Sequence, residues 1–133
     1  MKVPIIEAGM SFGPYPEGHL FYIEKCETYK AMGEGVQIAE FLLLRPREGQ
    51  PSSVWVVEAK STSPRSGDRL EEYIREIRDK LTNALALGVS ACLGRIPAAE
   101  VELPPQFRAL DLRTSEVRLI LIIRTAQADW LPP

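Results

Sequence analysis

Val54-Trp55-Val56-Val57-Glu58-Ala59-Lys60 runs through four apolar residues and then sets a carboxylate and an amine two positions apart. Side chains alternate along a strand, so Glu58 and Lys60 leave it on the same face. An apolar run bounded by polar loops belongs inside a sheet. Ionisable groups there cost free energy unless they are paired, metal-bound or exposed at the strand's end. Glu58 and Lys60 therefore demand an explanation that a surface Glu and Lys would not.

Upstream, Val36-Gln37-Ile38-Ala39-Glu40-Phe41-Leu42-Leu43-Leu44 reads as another strand, with Val36, Ile38, Glu40, Leu42 and Leu44 on one face. Glu40 is the lone charge in that apolar row. Arg45-Pro46 ends the strand, and residues 47–53 read as a polar loop with Gly49 and Pro51. A connection this short makes an antiparallel hairpin. Symmetry about Gly49 sets Leu44 opposite Val54, Leu42 opposite Val56 and Glu40 opposite Glu58. Facing carboxylates repel each other. A cation or a shared proton between them relieves the repulsion.

Further out, Leu20-Phe21-Tyr22-Ile23-Glu24 reads as a first strand, aromatic and β-branched, with Glu24 near its end. Residues 1–19 hold Gly9, Gly13, Pro14, Pro16 and Gly18 and read as irregular, with Ile5 and Ile6 offering one apolar contact and Phe12 and Tyr15 packed beneath. Cys26 to Met32 fits a short helical turn, and Cys26 itself a small buried hydrophobe. After Lys60, Asp68 is placed as a helix N-cap, with Glu71 completing a capping box. Leu70, Tyr73, Ile74, Ile77, Leu81, Ala84 and Leu85 follow helical spacing. From Ala84 to Leu93 the pattern is apolar all round, so that end of the helix is expected to be buried. Gly88 is either a break or a close-packing point, and Gly94 is the expected stop. Residues 95–116 read as a long connection with a turn around Phe107 to Leu110. Val117 to Ile123 is a strand apolar at nearly every position, as in a central or parallel strand.

The order strand, strand, strand, helix, strand predicts one α/β domain over residues 1–133, with its core in about 20–124. The expected architecture is a mixed central sheet in which a β-hairpin is followed by a right-handed helical crossover. A net charge of −2 argues against broad electrostatic wrapping of nucleic acid, though not against a local basic patch. Arg45, Arg47, Arg65 and Arg69 are candidates for such a patch. No run approaches the roughly 18–20 apolar residues that span a bilayer. The first residues do not read as a secretory signal. Cys26 and Cys92 fit neither a disulfide framework nor a zinc site, so a reducing, cytoplasmic setting is expected.

An acid on the second strand, then acid-any-Lys ending the third, then a helix and a fourth strand, resembles the PD-(D/E)xK nuclease superfamily with its restriction-endonuclease-like fold. The resemblance covers about residues 20–124. It implies that Glu40 is the family's single acid on the second strand, that Glu58 is the acid of the acid-x-Lys pair, and that Lys60 is its lysine. It implies Glu24 as the further, upstream acid. Ala39 stands where the family has the proline of its name. The implied activity is hydrolysis of phosphodiester bonds in DNA or RNA, with Mg²⁺ or Mn²⁺ held by Glu40 and Glu58 and with Lys60 completing the catalytic set. Many nucleases of this fold act as dimers, which makes a homodimer a candidate, with Ala84 to Leu93 and Trp130-Leu131 as its surface. The competing reading of Glu58 and Lys60 is a salt-bridged strand end. The competing function is a non-catalytic domain of the same fold that binds a protein or a nucleic acid.

Overall fold

The computed structural model describes residues 2–32, 35–96 and 102–124. Along the chain come β1 (Lys2–Glu7), β2 (Met10–Pro16), β3 (Leu20–Phe21), α1 (Glu27–Ala31), β4 (Phe41–Arg47), β5 (Gln50–Lys60), α2 (Gly67–Cys92), α3 (Pro105–Arg108) and β6 (Glu116–Ile123). Short 3-10 turns lie at Glu17–His19 and Ile23–Lys25. The tail residues Trp130 and Leu131, expected as part of an interface, lie outside the described residues.

The central sheet has the order β3-β4-β5-β6. β3, β4 and β5 run antiparallel, and β6 lies parallel to β5 across the α2 crossover. The mixed α/β sheet expected from the sequence is therefore present. Leu42 pairs with Val56 and Leu44 with Val54, as symmetry about Gly49 requires. The hairpin is longer than its polar composition suggested, because Arg47 pairs with Gln50 and leaves only Glu48-Gly49 to turn. Gly49 has a φ of 68°, a conformation that suits a residue with no Cβ.

One face of the sheet packs on α2. Leu42, Leu44, Val54 and Val56 meet Ile77, Leu81, Ala84, Leu87 and Ala91, joined by Phe107 of α3. Ala84, Leu87 and Ala91 of the apolar end of α2 are thus taken up by the chain's own core, while Leu93 stays 59% exposed. Gly88 does not break the helix. A Cβ there would stand 2.6 Å from Leu42 Cδ1, so Gly88 lets α2 pack closely on β4. The N-cap of α2 is Ser66 rather than Asp68, with no side-chain capping bond. Asp68 falls in the first turn, where its charge suits the helix dipole. Gly94, at φ 70°, ends the helix as expected.

The other face of the sheet is covered by the N-terminal segment, which is not irregular. β1 and β2 form an antiparallel hairpin turned by Ala8 and Gly9. Both turn residues have positive φ, 53° and 75°, as a tight two-residue hairpin turn requires. Ile5 is buried at 1% exposure while Ile6 stays out at 74%, the alternation of a strand with one wet face. The rings of Phe12, Tyr15 and Tyr22 gather on Phe41 of β4 at centroid distances of 5.8, 6.2 and 6.4 Å.

Two expected strands are shorter than read. β3 keeps only Leu20 and Phe21, and Glu24 sits in the 3-10 turn, not on a strand. Residues 36–40 precede β4 instead of belonging to it. They are pinned to α2 by Ala39 N–H donating to Lys80 O at 3.1 Å and by Asn83 Nδ2 donating to Gln37 O at 2.8 Å. β6 is parallel, but it lies at the sheet's edge, and Val117, Leu119 and Leu121 remain exposed. No helix among the described residues is long and apolar enough to cross a membrane.

Candidate metal centre

The polar end of the sheet is where β4 begins and β5 finishes. Glu40 stands one residue before β4, and its N–H donates to Val57 O at 3.0 Å. That bond lies one residue out of the ladder's register, in which Val57 faces Phe41. Glu24 N–H donates to Glu40 O at 3.4 Å, which lays the 3-10 turn against the same backbone. Glu40 and Glu58 are both buried, at 8% and 0% exposure. Burial, then the neighbouring carboxylates of Glu24 and Glu58, pushes the Glu40 carboxyl up to about 9. Glu24 and Glu58 are thus both within its electrostatic reach.

Glu7, at the end of β1, was not singled out in the sequence. One carboxylate oxygen from each of Glu7, Glu24 and Glu40 lies within 4.8 Å of the other two. The Tyr22 hydroxyl donates to Glu7 Oε1. Burial and the charge of Glu24 raise the Glu7 carboxyl above its ordinary range. Glu58 is not part of that triple.

Glu58 has a different companion. Lys80 of α2 holds Nζ 3.2 Å from Glu58 Oε2, and its side chain is 20% exposed. The contact is an ion pair and not a hydrogen bond, for Oε2 has no hydrogen-bond partner among the described residues. Oε1 accepts from Ala59 N–H at 3.2 Å. Burial pulls the Lys80 ammonium down, but the charge of Glu58 and further contacts outweigh it and leave the group raised. Lys60, the lysine expected beside the acids, has Nζ 3.6 Å from Glu76 Oε1 and lies 6.0 Å from the Tyr73 ring. Glu76 also holds Lys80 at 3.6 Å. Glu58, Lys80, Glu76 and Lys60 thus form a chain of alternating charge between β5 and α2.

Glu40 Oε2 also lacks a hydrogen-bond partner among the described residues. A buried carboxylate oxygen left open in this way is costly unless a cation or a proton meets it. Oxygen-rich surroundings of this kind suit hard divalent cations.

The arginines proposed as a phosphate surface divide. Arg45 and Arg47 are at the other end of the hairpin, opposite Ser53 and Gln50. Ser53 is five residues from Glu58, or about 17 Å along the strand. Arg45 lies over the Trp55 ring at 5.0 Å, and Arg47 pairs with Glu116 at 3.1 Å. Arg65 and Arg69 follow β5, the first in the loop before α2 and the second in the first turn of α2. The cavity between α2 and β6 is lined by apolar groups, Leu85, Gly88, Cys92 and Val117 among them, and offers nothing for chemistry.

No protein-family model, no curated protein and no solved structure matches this chain.

Proposed function

We propose that this chain is a metal-dependent nuclease-like domain of the PD-(D/E)xK type, hydrolysing phosphodiester bonds of DNA or RNA. The observation that carries the reading is a pair of buried carboxylates, Glu40 and Glu58, near enough for the second to raise the first, at the end of an antiparallel hairpin whose second strand pairs with a parallel fourth strand. The open Oε2 of Glu40 is what a ligand atom awaiting a cation would present. Glu40 and Glu58 would hold Mg²⁺ or Mn²⁺, with Glu24 as the upstream acid. When bound, such an ion supplies a polarised phosphoryl group and a more acidic water. The chain's own groups do the rest. The carboxylates fix the position of the centre on a rigid sheet. Lys60, with 24% of its side chain exposed, reaches solvent at the strand end, where its ammonium orients the attacking water or meets developing negative charge. Arg65 and Arg69, in the loop and first helical turn that follow β5, are the candidates to receive a phosphate.

The test is cleavage of single- and double-stranded DNA and RNA in Mg²⁺ or Mn²⁺. The parent chain should cut, and Glu58→Ala should abolish cutting. A Glu58→Ala chain that cuts as well as the parent removes Glu58 from the mechanism.

One observation favours a second reading. The chain Glu58–Lys80–Glu76–Lys60 already neutralises the acid-x-Lys pair internally. That arrangement suits a non-catalytic domain of the same fold, which binds a protein or a nucleic acid. An inert parent chain that still binds nucleic acid or a protein partner would select it.

A further inference from the structure

We propose that Glu7, Glu24 and Glu40 form a divalent-cation site that clasps the N-terminal hairpin to the central sheet. The three acids come from separate elements: the end of β1, the 3-10 turn at Ile23–Lys25, and the residue before β4. Their nearest oxygens lie within 4.8 Å of one another. Oxygens bound to one Mg²⁺, Mn²⁺ or Ca²⁺ at about 2.0–2.6 Å can be at most about 4–5 Å apart, so the spacing suits a shared ion. Carboxylates gathered this closely repel, and the ammonium paired with them, Lys25 Nζ at 3.6 Å from Glu24 Oε1, is 60% exposed and offsets only part of that repulsion. A second observation points to a ligand. Glu40 is only 8% exposed, and its Oε2 has no hydrogen-bond partner among the described residues. Tyr22, whose ring packs on Phe41, donates to Glu7 Oε1.

The consequence is mechanical. Otherwise the hairpin is held to the sheet chiefly by apolar contacts, with Ile5, Phe12 and Tyr15 packed around Phe41. An ion bridging Glu7 to Glu24 and Glu40 ties the turn end of the hairpin to the backbone that carries Glu40. It makes docking of this segment dependent on the cation. The clasp shares Glu40 and Glu24 with the nuclease reading, but Glu7 belongs to it alone, and it needs neither Glu58 nor catalysis.

The experiment is a calorimetric titration of the full chain, first stripped with chelator, with Mn²⁺, paired with amide hydrogen exchange. The parent should bind Mn²⁺ saturably, and the amides of Lys2–Glu7 and Met10–Pro16 should exchange more slowly once it is bound. Glu7→Gln should weaken binding by about tenfold or more and abolish the slowing. Glu24→Gln, on a turn and 30% exposed, should do the same and serves if Glu7→Gln does not fold. Glu58→Gln should keep the slowing. Equal Mn²⁺ affinity in the parent, Glu7→Gln and Glu24→Gln overturns the clasp, as does hairpin exchange indifferent to Mn²⁺. Cleavage assayed on the same samples separates the two readings. A parent that cuts, with Mn²⁺ affinity and hairpin exchange both unmoved by Glu7→Gln, sinks the clasp alone. A clasp with no cleavage sinks the nuclease alone.

Discussion

Lys80 Nζ lies 3.2 Å from Glu58 Oε2, so the most deeply buried carboxylate of the described chain is countered from a helix and not by the lysine two residues along its own strand. Breaking a buried pair by removing one partner leaves the other charge stranded. Lys80→Met should therefore destabilise the fold by about 3 kcal/mol, the low end of the buried-pair range because the ammonium keeps some water. Lys60→Met removes an ammonium that pairs with a half-exposed Glu76, and should cost less than about 1 kcal/mol. Urea midpoints of the two variants give the comparison. Equal losses would contradict the assignment of Lys80 as the partner of Glu58.

In chelator, stability should fall as pH rises across neutrality. The Glu40 carboxyl, pushed up to about 9 by burial and then by Glu24 and Glu58, keeps its proton in the fold at a pH where the unfolded chain has lost it. A group raised on folding contributes stability that is complete below its unfolded value, near 4.3, and that is lost as pH climbs toward the folded value. Glu7 is raised in the same direction. Glu102 and Glu116 are lowered, so their contributions are lost only at acidic pH, below this window. Thermal melts from pH 5 to pH 9 (about the span between the two values) should show Tm declining for the parent. Glu40→Gln should flatten the decline, and an equally steep profile in that variant would rule out Glu40 as its source.

Phe41 is 1% exposed and is the ring on which Phe12, Tyr15 and Tyr22 converge. Phe41→Ala should cost about 3–5 kcal/mol, the usual range for emptying such a site. Because the ring joins the N-terminal hairpin to the sheet, the amides of β1 and β2 should lose protection before those of β5. Uniform loss across the sheet would mean that the hairpin and the sheet open together.

Gly88 offers a local packing test. A side chain there runs into Leu42, itself 3% exposed, since even a Cβ would stand 2.6 Å from its Cδ1. Gly88→Leu gains helix propensity of roughly 1 kcal/mol at most, yet overpacking costs about 1–3 kcal/mol, so a net loss is expected. A rise in Tm would show that the interface has room.

The hairpin register that pairs Leu42 with Val56 and Leu44 with Val54 was legible because a row of apolar residues tolerates only one inward face. The helix ending at Gly94 was legible from the same periodicity. The N-terminal hairpin was not, because its glycines and prolines look like a loop, and only the alternation of Ile5 with Ile6 hinted otherwise. The aromatic and β-branched neighbours of Glu24 favour a strand, whereas the chain turns there and brings it to Glu40 through the backbone. Glu7 could not be found from local pattern, since its role depends on tertiary docking. Lys80 left a signal that could have been used. It lies three residues after Ile77 and four before Ala84, inside the apolar stripe of α2, where a lysine needs an acid to face.

The most direct test of the acidic centre is a calorimetric titration of Mn²⁺ into the chelator-stripped full chain and into Glu40→Gln. The account predicts saturable binding to the parent and its loss, or weakening by about tenfold or more, in the variant. No binding by the parent at millimolar Mn²⁺, or unchanged binding by a folded Glu40→Gln, would contradict it.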